Sequence, residues 1–149
     1  MNTQNAPYRL FRTLALVSVL SACGDSLNSA DASNAKAVAL GEKLYVEKCA
    51  ECHGQNLEGQ PEWRSLKEDG TLPAPPHDDS GHTWHHDDQL LFKYTKLGGA
   101  GVAPPSFKSA MPGFGADLSD SEIWAVLSYI KSRWSPKAQA RQAQLNQQP

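Results

Sequence analysis

The chain has 149 residues, enough for one small domain around one core. Its 14 Lys and Arg face 16 Asp and Glu, a net charge of −2, and no basic stripe runs along it. That balance argues against a nucleic-acid surface built on clustered cations. The three cysteines each have a use that requires no disulfide.

Arg9 and Arg12 precede an apolar run from Leu14 to Leu20. A short apolar run behind positive charge reads as a secretory signal, too short to remain as a spanning helix. It ends in Leu20-Ser21-Ala22-Cys23-Gly24, which resembles the lipobox of bacterial lipoproteins. Residues 1–22 are therefore expected to be a signal peptide, with Cys23 lipidated and anchoring the protein. The expected location is the periplasmic side of a membrane, or the soluble periplasm if Cys23 carries no lipid. Removing residues 1–22 takes away two arginines and no acid, which leaves 12 basic against 16 acidic side chains. Residues 23–36 are rich in Ser, Ala, Asn and Asp. They read as a flexible tether.

A first domain helix is predicted over about 37–50, with Val38, Leu44, Tyr45 and Cys49 near one face and Gly41 beside them. It runs into Cys49-Ala50-Glu51-Cys52-His53. Two thiols three apart with a histidine directly after are the attachment signature of a c-type haem. Each thiol can add across one vinyl group, and the adjacent imidazole can ligate the iron. A thioredoxin-like motif would need a βαβ pattern, and structural zinc would need a second ligand pair. Neither is present in the sequence.

Long stretches rich in Pro, Gly and His follow, of a kind uncommon in a compact domain unless they serve a function. One of them is Leu72-Pro73-Ala74-Pro75-Pro76, with three prolines in four residues. The segment from His77 to His86 holds four histidines and several carboxylates. Trp84, His82, His85 and His86 are candidates for haem propionate contacts or for a second metal, copper or zinc. They also fit ordinary solvated loop groups. A middle helix is predicted over about 87–97, ending before Gly98-Gly99.

Met111, followed by Pro112, is the only methionine left after signal removal. A thioether on the second face of the haem would give His/Met ligation and raise the reduction potential. The last helix is marked by a capping box, Ser119 and Glu122, a staple pair, Leu118 and Ile123, and a stripe of Ile123, Val126, Leu127, Ile130 and Trp134. The tail, 136–149, is rich in Gln and Ala, a composition that fits a partly helical segment, and it receives no function.

With these residues in order, the stretch from Ala37 to Trp134 resembles class I cytochrome c. Gly41, Tyr45 and the Cys49–His53 motif match that family's N-terminal helix and attachment site. Met111-Pro112 matches its axial-methionine loop, and Leu127-Ser128-Tyr129-Ile130 its C-terminal helix. The resemblance implies an all-α cytochrome c fold over 37–135, with three to four short helices and long loops around one covalent haem c. It also implies crossing terminal helices, with Gly41 and Tyr45 against Val126 and Tyr129, and a backbone carbonyl that accepts from the second nitrogen of His53, for which Pro75 or Pro76 is the candidate. The expected function is one-electron transfer with redox proteins of a respiratory or envelope chain. No substrate chemistry is then required, so the chain is expected to be a carrier and not an enzyme. The competing readings are a haem enzyme or sensor with a labile sixth position, and a copper- or zinc-handling protein using loop 77–86.

Overall fold

A computed structural model describes residues 26–147. Residues 1–22 and Cys23, assigned above to a signal and a lipid anchor, lie outside the described residues. The order of elements is α1 (Ala35–Lys48), α2 (Ala50–His53), a 3-10 turn (Thr83–His85), α3 (Asp88–Leu97), α4 (Gly99–Val102), α5 (Asp120–Ser132) and α6 (Pro136–Leu145). Among the described residues the only β pairing is an isolated bridge between Thr71 and Lys108. The fold is all-α, as expected. Among the described residues six helices stand in place of three to four, because two are single four-residue turns and the sixth forms in the tail.

α1 begins two residues earlier than the apolar pattern suggests, because the Asn34 side chain accepts the Ala37 N–H at 3.1 Å. This satisfies one of the free donors of the first turn. α5 begins where its capping box lies. Ser119 N–H donates to Glu122 Oε2 at 2.8 Å, and Glu122 N–H donates back to Ser119 Oγ at 3.3 Å. α3 likewise starts after Asp87, whose carboxylate accepts from Leu90 N–H at 2.9 Å.

α5 is the centre of the core. All eight residues from Ile123 to Ile130 are buried, a pattern that requires partners on more than one side. α1 crosses one side. Gly41 sits so close to α5 that an added Cβ would overlap the Ala125 carbonyl and lie 3.0 Å from Tyr129 Cβ. The Tyr45 and Tyr129 rings meet beside it, with centroids 5.4 Å apart. α3 meets α5 through Phe92 stacked on Trp124 at 4.4 Å.

Both ends of the folded body differ from the sequence expectation. The predicted tether, 23–36, is docked against α5 over much of its described part. Leu27 N–H donates to Ser121 Oγ at 2.8 Å and Asp31 N–H to Ser128 Oγ at 2.9 Å, and Leu27 and Ala30 pack against the core. Serine hydroxyls on α5 hold the segment by its backbone, so its own side-chain composition carries no sign of the contact. The tail is also structured. Ser135 caps α6 with Pro136 in the first turn, where its missing N–H costs nothing. α6 buries Ala138 and Gln142 over the 3-10 turn. Gln142 Nε2 and Asn146 Nδ2 donate to Asp88 at 2.6 and 2.9 Å, and Lys131 pairs with the same carboxylate at 2.9 Å. The helix docks largely by polar groups, so apolar periodicity gave no sign of where it packs.

Candidate cofactor site

α1 does not stop cleanly. Cys49 keeps a right-handed backbone, its N–H donating to Tyr45 O at 2.8 Å, and the chain passes at once into α2. One turn therefore presents Cys49, Cys52 and His53, and Gly54 at φ 79° ends it. All three side chains line a cavity of about 590 Å³. Burial first, then the Cys52 thiol, push the Cys49 thiol up to about 11, so it is protonated at neutral pH.

The same cavity is walled by Leu91, Phe114, Val126, Leu127 and Ile130, and by Met111. Protein interiors are close-packed, and their internal voids are few and rarely exceed a water molecule. A space of this size, lined by core residues, fits a large flat apolar group. Two thiols and an imidazole on its wall are the donor set that holds such a group as haem c.

His53 is buried, and its Nδ1–H donates to Pro75 O at 2.9 Å. Of the two carbonyls considered, Pro75 is the acceptor. Burial lowers the imidazole below its ordinary value and outweighs the opposing hydrogen bond. The ring is therefore neutral at pH 7, the form that ligates metal. The segment 75–77 is threaded between two glycines. A Cβ at Gly59, whose φ is 69°, would meet Pro75 and Pro76, and one at Gly81 would overlap the Pro76 carbonyl. Beyond the prolines, the His77 ring stacks on His53, centroids 4.0 Å apart and planes 21° off parallel.

Met111 is placed by the end of α3. Gly98, at φ 77°, stops the helix and lets Pro112 approach. Gly99 N–H donates to Met111 O at 3.1 Å, Met111 N–H to Ser109 Oγ at 3.2 Å, and Phe114 N–H to Thr95 O at 2.9 Å. The methionine loop is thus laced onto the helix terminus by its backbone, leaving the side chain to the cavity.

The four loop histidines have different surroundings. His82 and His86 line the cavity, edge to face at 5.4 Å, and burial is the main cause lowering both imidazoles. Trp84 and His85, proposed above for the same contacts, do not line it. They stack on each other at 3.8 Å, and the Trp84 indole points to Asp79 O at 3.4 Å. Among the described residues no group of three or more His, Cys, Asp or Glu is placed to hold a metal ion.

Two residues at the site escaped the sequence reading. Trp63 lines the cavity and stacks on His82 at 5.4 Å, with the Arg64 guanidinium 3.9 Å from its ring. It stands in a loop with no periodicity, and its only signal was an apolar ring in a polar stretch. His77 was visible only as one histidine among four.

A cavity of this size inside a helical shell, with two thiols and an imidazole on one turn of its wall, is the site of a c-type haem protein. The family model described as cytochrome c matches residues 38–134, and the chain belongs to that family. Membership implies covalently bound haem c. The chain is 33% identical over 106 residues to thiosulfate dehydrogenase of Stutzerimonas stutzeri (strain A1501), covering 67% of this chain and 28% of that protein. It is 33% identical over 101 residues to subunit CcoP of the cbb3-type cytochrome c oxidase of Rhodobacter capsulatus, covering 68% of this chain and 30% of that subunit. The matches thus span less than a third of these relatives. No solved structure matches significantly.

Proposed function

We propose that this protein is a one-electron carrier with a single haem c ligated by His53 and Met111, tethered through Cys23 to a membrane of the bacterial cell envelope. The observation that carries the reading is that His53 and Met111 line one cavity, each fixed by its own backbone lacing. The haem would supply an iron that accepts and returns one electron. Cys49 and Cys52 would hold it covalently. His53, oriented by Pro75, and Met111, whose backbone is tied to Gly99, would both ligate its iron. With both ligands supplied by the chain, no position would be left for a substrate, which favours a carrier over an enzyme. His82, His86 and Trp63 line the same cavity and would be available to contact its propionates.

The name of one relative, an oxidase subunit, supports a respiratory or envelope redox protein as the partner. The name of the other, a dehydrogenase, supports a second reading in which this domain serves an enzyme. An absorption spectrum separates the carrier from a haem enzyme with an open iron. A low-spin ferric spectrum with a methionine–iron charge-transfer band is expected, and Met111→Ala should abolish the band and lower the potential. A high-spin ferric wild type, or a variant with an unchanged band, would overturn the reading. Fractionation tests the tether: Cys23→Ser should move the protein out of the membrane fraction.

A further inference from the structure

We propose that His77 is a positioning residue for His53, fixing the orientation of that imidazole by face-to-face stacking. The proposal rests on the reading of His53 as an iron ligand and adds a residue to it.

The hydrogen bond from His53 Nδ1 to Pro75 O, at 2.9 Å, approaches the ring from its edge. It leaves the ring some freedom to tilt about that contact. A flat group against the ring face removes this freedom, and His77 supplies one at 4.0 Å and 21°. Its distance lies just below the usual range for aromatic pairs, so the two rings are in close contact.

His77 is itself held on several sides. Its Nδ1 meets Thr83 Oγ1 at 2.8 Å, and Thr83, which is buried, donates onward to Pro76 O at 3.4 Å. With the Thr83 hydroxyl donating to Pro76, the His77 nitrogen is the donor to Thr83. The backbone is fixed as well: His77 N–H donates to Leu57 O at 2.7 Å, and the Trp134 indole N–H donates to His77 O at 2.8 Å. Tyr45 lies edge-on to the ring at 6.3 Å. One tripeptide, Pro75 to His77, thus touches His53 twice, at an edge through a carbonyl and at a face through a ring. Partners around a metal ligand set its orientation and basicity. The orientation of an axial imidazole sets its π overlap with the iron, and thereby the ferric spectrum and the potential.

The test compares haem-loaded His77→Phe, which keeps a flat ring without the Thr83 bond, with His77→Leu, which keeps apolar volume without a ring face. The readouts are ferric electron paramagnetic resonance g-values, haem-methyl proton shifts and midpoint potential. His77→Leu should move all three, with the oxidised-to-reduced equilibrium changing between about twofold and about tenfold, the worth of one aromatic pair. His77→Phe should stay close to the wild type. An unchanged His77→Leu, or a His77→Phe displaced as far as His77→Leu, overturns the proposal. If His77→Leu does not hold haem, His77→Gln carries the test, because it keeps a polar group facing Thr83 and has no ring face. Altered g-values there support the proposal and unaltered ones overturn it. Failure of the underlying reading would show separately, as a His53→Ala protein that keeps the wild-type low-spin spectrum.

Discussion

Replacing Gly41 by alanine sets two known effects against each other. In a free helix the change is favourable by about 1 kcal/mol, because glycine loses more backbone freedom and alanine is the best helix former. Here the new methyl would overlap the Ala125 carbonyl and lie 3.0 Å from Tyr129 Cβ. That carbonyl is backbone inside α5, where Ala125 is fully buried, so it cannot turn aside. α1 and α5 must then separate along a contact that includes Tyr45, Tyr129 and the buried Ala37 and Leu44. Overpacking of this kind costs about 1–3 kcal/mol and occasionally more. The rigid obstacle favours the upper part of that range, so the clash wins and the net loss is about 1–2 kcal/mol. For a domain of roughly 100 residues, each kcal/mol lowers Tm by about 4–8 °C. Thermal unfolding of the haem-loaded protein, followed by far-ultraviolet circular dichroism, should give a Tm at least about 4 °C below the wild type. An equal or higher Tm would mean that the helices do not meet at Gly41, and the packing argument would fall.

Lys131→Met removes the cation from a pair whose side chains are only 13% and 15% exposed, leaving Asp88 with two amide donors. Losing a charged partner of this kind costs about 1.5–3 kcal/mol, readable as a lower urea midpoint. Faster hydrogen exchange in α6 should accompany it, and an unchanged midpoint would show that the network contributes nothing. For acid stability, the Ser119 N–H and then its hydroxyl hold Glu122 below its ordinary value of 4.5. A depressed folded-state value gives stability that is present above 4.5 and lost as pH falls through the lower folded value. Glu122→Gln should therefore flatten the fall of Tm between about pH 5 and about pH 3, and identical slopes in the two proteins would refute this.

The attachment turn was legible because its chemistry is local. Cys49, Cys52 and His53 must sit on one turn to meet one flat group, so their spacing is written in consecutive letters. The capping box at Ser119 and the stop at Gly98 were legible for the same reason: each satisfies or ends a helix through residues a few positions away. Gly41 and Tyr45 were marked as a helix-contact pair through family resemblance. Their contact was expected at Val126 and Tyr129, and the close approach falls on Ala125 and Tyr129.

What only the tertiary structure decided lies between distant segments. Pro75 was chosen over Pro76 by where Gly59 and Gly81 let the chain pass. The four loop histidines read alike in sequence. In the fold His77, His82 and His86 line the cavity, His77 also stacks on His53, and His85 lies against Trp84. The segment before α1 and the helix after α5 read as solvated, because their side chains are polar or small. They are bound through backbone N–H groups and through Asp88, partners that lie far away along the chain. Covalent chemistry and helix periodicity act over a few residues and are fixed by the sequence. Stacking, close approach and polar docking depend on which surfaces folding brings together.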